Sequence, residues 1–240
     1  MLKINQLPMI ILQVSTIIFI YGCSPIANYH AKKENSLPLT TSKRAYLQAL
    51  QQDPNEKMID IKQYIPSISL DLKYATKNNF THKRMYSANT STTFLRKPAA
   101  NALLAVQKEL NNKGLGLKIF DAYRPFSVTL KFWDLIHDER YVANPSKGSG
   151  HNRGTAVDLT LIELNSKHEL DMGTGFDNFS DSAHHSFTKF SENILHNRLL
   201  LQETMEKYGF KKLDTEWWHY SWPRQFSVLN LSFTDLQKLQ

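Results

Sequence analysis

The sequence has a single cysteine, Cys23, so its 240 residues cannot form an internal disulfide. It also lacks internal repeats, and its basic residues form no stripe interleaved with aromatic ones, although the formal net charge is +7. A nucleic-acid partner is therefore not expected, and the charge better suits an acidic surface or an anionic polymer. With 41% hydrophobic and 21% charged residues, the chain has the composition of one globular domain.

Long apolar runs are also scarce, and the one exception lies at the N-terminus. Residues 9–21 form an apolar segment that is too short to span a membrane comfortably and is typical of a signal peptide. It ends at Gly22 and Cys23, which resemble a bacterial lipoprotein processing site, although Tyr21 is bulkier than the small residue usual there. We therefore predict a lipoprotein signal at residues 1–22, a lipid on Cys23 and an exported protein attached to a membrane of the cell envelope. An ordinary signal peptide with an incidental cysteine, or an anchor that is never cleaved, is the alternative.

The rest of the chain divides into a polar segment and a patterned domain. Residues 23–57 are predicted to be a tether that contains a short helix near residues 44–52. Residues 58–240 are predicted to be the folded domain, because regular apolar patterning begins there.

Apolar patterning within the domain predicts both strands and helices. Strands are expected at residues 58–76 (broken by Pro66), 115–125, 154–164 and 215–222. Helices are expected at residues 97–114, 126–141 and 187–210, and residues 171–185 are expected to form an irregular loop. Because strands and helices mix without regular alternation, we predict an α+β fold with a small, mostly antiparallel central sheet flanked by helices.

Two short segments carry residues that bind metals. His151 and Asp158 lie in "SGHNRGTAVDLT", and Glu216 and His219 lie in "EWWH". Two imidazoles and one carboxylate are a suitable set of zinc ligands that leaves one tetrahedral position open. A second carboxylate beside that position, for which Glu216 is the candidate, could act as a general base.

The spacing of these residues demands bends in the backbone. Odd separations on an unbroken strand place side chains on opposite faces, so the chain must bend between His151 and Asp158 and between Glu216 and His219. Gly154, together with Gly150, can supply the first bend. Single pairs of this kind arise by chance in most chains, so spacing alone leaves the metal site open.

A family resemblance extends this interpretation. "SGHNRGTAVDLT" matches the S-x-H-x-x-G-x-A-x-D pattern of zinc D-Ala-D-Ala peptidases, and "EWWH" matches their E-x-W-H pattern. The chain resembles the D-alanyl-D-alanine dipeptidases of the vancomycin-resistance type over residues 64–222. The segments "LKYATKNNF", "DAYRP", "DMGTGFDNF" and "SAHH" contribute to the likeness.

The resemblance implies one zinc ion per chain and a role for each matched residue. His151, Asp158 and His219 resemble the zinc ligands of the family, which places the zinc site on the central sheet, and Glu216 resembles its general base. Arg124 resembles the arginine that holds the substrate carbonyl oxygen and stabilises its developing charge. The alternative for Arg124 is a surface ion pair at the end of a strand.

Four further residues are implied to bind substrate. Asp177 resembles the carboxylate that receives the free ammonium of a dipeptide, and Ser149 resembles the residue near its C-terminal carboxylate. Tyr74 and Asp121 occupy positions linked with the arginine and the substrate cleft. The alternatives are a turn aspartate at Asp177 and a core residue at Tyr74.

The expected function is zinc-dependent hydrolysis of D-alanyl-D-alanine, or a related D,D-dipeptide, in cell-wall peptide turnover. One alternative is a D,D-carboxypeptidase or endopeptidase that cleaves longer wall peptides, and another is an envelope lipoprotein that binds wall peptide without cleaving it. The similar resistance dipeptidases act in the cytoplasm, whereas we expect this chain to be exported. This departure from the family puts a resistance role in doubt and favours trimming of wall fragments or recovery of D-amino acids in the envelope.

Overall fold

The computed structural model describes residues 37–139 and 141–240. The predicted signal peptide and Cys23 lie outside these residues. Among the helices that the structure describes, none is both long enough and apolar enough to cross a membrane.

The described chain begins with a strand and a helix that pack on the domain. Strand β1 (Leu39–Thr40) pairs in parallel with a strand near the C-terminus, Val228–Leu229. Helix α1 (Lys43–Gln52) buries Tyr46, whose hydroxyl accepts a hydrogen bond from the Met58 backbone N–H at 2.7 Å. The short helix is confirmed, but the tether predicted for residues 23–57 is wrong for residues 37–57. The sequence of these residues is polar and has no clear pattern, but contacts with distant parts of the chain hold them in place.

A five-stranded sheet forms the centre of the domain. Its strands are β3 (Ser69–Leu70), β5 (Leu115–Asp121), β6 (Ala156–Glu163), β7 (Lys211–Leu213) and β8 (Glu216–Ser221). They lie in the order β3-β5-β6-β8-β7, and only the β3–β5 pair is parallel. A separate antiparallel pair consists of β2 (Met58–Asp60) and β4 (Phe94–Arg96), and Val228–Leu229 is β9. The predicted α+β fold with a mostly antiparallel sheet is confirmed.

The described residues form six further helices. They are α2 (Ile61–Tyr64), α3 (Lys97–Asn111), α4 (Phe126–Leu135), α5 (Gly150–Arg153), α6 (Glu192–Lys207) and α7 (Phe233–Gln237). Helix α3 packs against β5 through a buried stripe that includes Leu103, Val106 and Leu110, which is the period expected of an amphipathic helix. Helix α6 packs against α3 and against strands of the central sheet.

Several predicted boundaries are wrong for local reasons. The strand expected from residue 58 stops at Asp60, because the Asp60 carboxylate accepts the Gln63 N–H at 3.1 Å and caps α2. Helix α4 ends at Leu135 rather than at residue 141, since Ile136 is extended. Helix α6 begins after Ser191 rather than at residue 187. The loop at residues 171–185 is irregular as expected, apart from a short 3-10 turn at Asp181–Ala183.

Candidate active site

Three predicted site residues form a row across the central sheet. In the register of the strands, Asp121 of β5 lies opposite Asp158 of β6, and Asp158 lies opposite His219 of β8. Directly opposed residues of antiparallel strands hold their side chains about 5 Å apart. The sheet therefore brings together side chains that come from three separate parts of the sequence.

His151 reaches this row from the short helix α5. Ser149 caps the helix by accepting the Asn152 N–H at 3.1 Å, and the Asn152 side chain accepts the Ser149 N–H in return. Gly154 ends the helix with a φ of +69°, a left-handed conformation that suits glycine. The predicted bend is thus present, but His151 lies on a helix and not on a strand.

The His151 ring is oriented by the backbone. Its Nδ1 lies 2.7 Å from the Ala122 carbonyl oxygen, an arrangement in which Nδ1 carries the proton and donates it. Nε2 is then left as a lone-pair donor, 3.4 Å from Asp158 Oδ2. Metal-binding histidines are commonly oriented in this way by a partner on the second ring nitrogen.

A bulge in β8 places Glu216 and His219 on the same side. One step along β7, from Lys212 to Leu213, corresponds to four along β8, from Tyr220 to Glu216. The extra residues shift the alternation of the strand, as the odd spacing required. His219 Nδ1 lies 2.9 Å from Asp158 Oδ1 and 3.9 Å from Glu216 Oε2.

The donor atoms of His151, Asp158 and His219 fit a metal ion. One ligand atom from each residue lies within 4.8 Å of the others. Burial lowers the pKa of both histidines, which keeps the imidazoles neutral and able to donate to a metal. Burial also raises the pKa of Asp158 well above its usual range, so a cation at this point would compensate a buried carboxylate.

Glu216 stands beside the three donors and is suited to accept a proton. Burial raises the pKa of its carboxyl to about 6, and the neighbouring His219 opposes that rise. A metal cation between the ligands would lower the pKa again and hold Glu216 as the carboxylate. Its chemistry is therefore that of a base close to neutral pH.

Arg124 is held at the cavity wall by a buried carboxylate. Its Nε and Nη2 donate to Asp121 Oδ2 at 3.1 and 2.7 Å, and its guanidinium lies over the rings of Tyr74 and Phe132. Only 9% of Arg124 is exposed, so a surface ion pair does not describe it. The ion pair and the rings fix the direction in which its remaining N–H groups point.

Asp121 acts on the site through this arginine. It is fully buried, is absent from the cavity wall, and accepts a 2.6 Å hydrogen bond from the Tyr86 hydroxyl at Oδ1. The expected link between Asp121 and Arg124 is therefore present. Asp121 itself does not line the cavity in which a substrate would bind. Tyr86 was not predicted, because nothing in the sequence around residue 86 connects it with "DAYRP".

Asp177 faces the same cavity from the irregular loop. The Tyr74 hydroxyl donates to the Asp177 carboxylate, 3.1 and 3.2 Å from its two oxygens, across 103 residues of sequence. Burial, followed by the charge on Asp158, raises the pKa of Asp177 well above its usual range. No lysine or arginine of the described residues forms an ion pair with it. A cationic group in the cavity would therefore favour the charged form of the Asp177 carboxyl.

These side chains enclose a cavity of about 280 Å³. All of the predicted site residues in the described chain except Asp121 line it. Arg124 carries the only permanent positive charge among the described residues of the wall, against four carboxylates. The wall consists of Tyr74, Phe80, Arg124, Phe132, Glu139, Tyr141, Val142, Ala143, Ser149, Gly150, His151, Asp158, Asp177, Phe179, Leu213, Glu216, Trp218 and His219.

Comparison with known proteins decides what this site is. The sequence model described as D-ala-D-ala dipeptidase, of the Peptidase_M15 family, matches residues 54–239. The chain belongs to the D-Ala-D-Ala dipeptidase family. The D-alanyl-D-alanine dipeptidase of Escherichia coli (strain K12) is 36% identical over 171 residues, which cover 71% of this chain and 87% of that protein. The dipeptidase of Enterococcus faecium is 32% identical over 67% of this chain and 88% of its own length.

A solved structure of a related kind is more distant. The vancomycin-resistance D,D-pentapeptidase VanY, solved in complex with Zn(II), is 16% identical and covers 55% of this chain and 75% of its own, with a TM-score of 0.37. That likeness is too weak to bear on function. Membership of the family makes this protein a metallopeptidase, and its cofactor is zinc, for which His151, Asp158 and His219 form a fitting set of ligands.

Proposed function

We propose that this protein cleaves D-alanyl-D-alanine, or a closely related D,D-dipeptide, into free amino acids. The observation that carries the proposal is the position of Asp177, a half-buried carboxylate without an ion-pair partner in the described chain, on the wall that also holds the metal ligands. The cavity of about 280 Å³ is slightly smaller than the roughly 300–1,000 Å³ of most small-molecule sites. Both features favour a short substrate with a free amino terminus.

The side chains around the ligands divide the chemistry between them. Bound zinc would polarise the scissile carbonyl and lower the pKa of water. Glu216 takes a proton from the attacking water on its carboxylate and passes it to the nitrogen of the leaving D-alanine. The guanidinium of Arg124, held by Asp121, meets the negative charge that develops on the carbonyl oxygen.

Two side chains would bind the ends of the dipeptide. Asp177 receives the ammonium of the dipeptide. The Tyr74 hydroxyl donates a hydrogen bond to the Asp177 carboxylate and so holds that side chain in place. Ser149 accepts the Asn152 N–H, which leaves its hydroxyl hydrogen free to donate to the substrate carboxylate. An N-acylated substrate would leave Asp177 desolvated without a counter-charge, which is costly.

A substrate comparison tests this proposal. D-Ala-D-Ala should be cleaved far faster than its N-acetylated form and than a tripeptide ending in D-Ala-D-Ala, and a chelator should abolish all cleavage. Asp177→Asn should narrow the difference between free and acetylated dipeptide, whereas Asp181→Asn, which changes an exposed carboxylate of the same loop, should leave it in place. Equal cleavage of all three substrates would instead favour the carboxypeptidase. No cleavage with zinc present would favour the binding protein.

We further propose that the enzyme works in the cell envelope, attached through a lipid on Cys23. The support is the apolar run of residues 9–21, which ends at Gly22 and Cys23. In that place the enzyme would trim wall fragments or recover D-alanine. Cys23→Ala should release the protein from the membrane fraction or leave it unprocessed. A free Cys23 thiol in the mature protein would contradict the anchor.

A further inference from the structure

Arg198 has an unusual environment for a charged side chain. It lies on α6, is 5% exposed, and forms no ion pair with a carboxylate among the described residues. Its three nitrogens donate instead to backbone carbonyls: Nε to Met172 at 2.7 Å, Nη2 to Ser182 at 2.9 Å and Nη1 to His184 at 3.2 Å. Buried charges without such partners are strongly unfavourable, so these three bonds are what the buried guanidinium has in place of a counter-ion.

All three carbonyls belong to the loop of residues 171–185, and they lie on both sides of Asp177. Met172 precedes Asp177 by five residues and Ser182 follows it by five. One planar guanidinium therefore joins the entry and the exit of the segment that presents the Asp177 carboxylate to the cavity. The planar fork of an arginine can reach several acceptors at once, which the single ammonium of a lysine cannot.

The backbone at the middle of the loop, around Asp177, has a conformation that surrounding contacts must support. Asp177 has a φ of +58°, a left-handed conformation that a residue other than glycine adopts where its surroundings impose it. Within the loop, the Thr174 hydroxyl accepts the indole N–H of Trp217 at 2.8 Å, and the Tyr74 hydroxyl reaches Asp177 itself. These contacts act inside the loop, whereas the guanidinium of Arg198 sets the distance between its two ends.

Arg198 packs against aromatic rings and remains charged at neutral pH. Its guanidinium lies over the rings of Phe190 and Trp217, with 4.7 and 5.9 Å to their centroids. Burial lowers its pKa to about 10, which leaves the side chain protonated at neutral pH. The neighbouring Asn197 adds a fourth bond to the loop, from Nδ2 to the Asp171 carbonyl at 2.9 Å. Helix α6 thus anchors the loop from one turn of helix.

We propose that Arg198 is a positioning residue that ties both ends of the 171–185 loop to α6 and so holds Asp177 where it selects substrates with a free amino terminus. This inference rests on the proposed function, because it assumes that Asp177 receives the substrate ammonium. It assigns the selectivity of the site to a residue outside the cavity wall. Trp217, which follows Glu216 on β8, also holds this loop, but it does so through one hydrogen bond, to Thr174.

The test measures one ratio, kcat/KM for D-Ala-D-Ala over kcat/KM for N-acetyl-D-Ala-D-Ala, with zinc-loaded full-length enzyme. Arg198→Met keeps the apolar stem and removes all three bonds, and Arg198→Lys keeps the charge and cannot bond all three carbonyls. Thr204→Val changes another buried position of α6, whose hydroxyl bonds only to the Leu200 carbonyl among the described residues, and serves as the control. A merely structural defect would reduce the amount of active enzyme and lower both rates equally, leaving the ratio unchanged.

We expect the ratio to fall by about tenfold or more in Arg198→Met, and less in Arg198→Lys, since a misplacement of about 1 Å can cost about a hundredfold. The loss should fall on KM for the free dipeptide as well as on kcat. Combined with Asp177→Asn, Arg198→Met should lower the ratio little further, because both changes remove the same interaction. If Arg198→Met does not fold, the Arg198→Lys enzyme carries the test alone.

The two hypotheses fail in different ways. A wild-type enzyme without preference for the free amine would overturn the proposed function and this inference together. A wild-type preference that persists unchanged in both Arg198 variants would overturn the inference and leave the proposed function intact. A fall in the ratio in Thr204→Val as large as in Arg198→Met would also overturn it, because selectivity would then follow any disturbance of α6.

Discussion

The substitution Tyr86→Phe removes one hydroxyl group, and it should lower both the stability of the fold and the catalytic contribution of Arg124. The Tyr86 hydroxyl donates to Asp121 Oδ1 at 2.6 Å, and Asp121 in turn binds Arg124 through Oδ2. Burial, followed by the Asp121 charge, raises the pKa of Tyr86 well above its usual range, so the phenol keeps its proton and donates it. Phenylalanine fills the same space without that donor.

The structure sets the size of the effect. A hydrogen bond to a charged group contributes about 1.5–3 kcal/mol, and Asp121 is fully buried, so water cannot replace the lost donor. We therefore expect the free energy of unfolding to fall by about 1.5–3 kcal/mol. The two bonds from Arg124 to Asp121 remain, so the guanidinium should lose part of its orientation and kcat about tenfold, equivalent to about 1.4 kcal/mol.

Urea denaturation and steady-state kinetics on D-Ala-D-Ala would measure the two losses. Tyr46→Phe is the matched control, because the buried Tyr46 hydroxyl accepts a single bond from the Met58 N–H, far along the chain from the site. It should lose stability with unchanged kcat. A Tyr86→Phe enzyme whose stability stays within about 0.5 kcal/mol of wild type and whose kcat is unchanged would refute the reasoning, since a buried carboxylate cannot lose a donor at no cost.

Three further predictions concern the metal, the base and the pH dependence. His219→Ala should lose most of the zinc that elemental analysis finds at about one ion per wild-type chain, while His196→Ala, at an exposed position of α6, should keep it; full zinc content in both variants would contradict the ligand set. Glu216→Gln should bind zinc normally and lose kcat about a hundredfold or more, and turnover near that of wild type would assign the base elsewhere. Burial lowers the pKa of His185 to about 4, below the value of about 6.5 expected in the unfolded chain. The stability that this neutral histidine contributes above pH ~6.5 is therefore lost as the pH falls through about 4. His185→Gln should flatten the fall in the urea midpoint of the metal-free protein over that range, and an identical pH profile in both proteins would argue against it.

The sequence by itself supplied the residue types of the candidate site, and the family resemblance, which is also a property of the sequence, turned their spacing into a predicted zinc site. Which residues can bind zinc depends on residue type, and the bend that brings His151 towards Asp158 depends on a local helix cap and on Gly154. Both are properties of a few neighbouring residues, so the motif could be interpreted without the fold. The α+β class and the longer helices followed in the same way from local periodicity.

What only the tertiary structure decided depends on contacts between distant parts of the chain. The register that aligns Asp121 with Asp158 and His219 joins three strands, and the bond from Tyr86 to Asp121 spans 35 residues. Likewise, residues 37–57 look like a tether because their pattern is polar, yet β1 pairs with a strand at the opposite end of the chain. Arg198 lies on a helix that local periodicity predicts, but its position beneath the loop depends on how α6 packs. Local sequence sets propensity and ligand chemistry, whereas the pairing of distant segments is decided by the burial and hydrogen bonding of the whole domain.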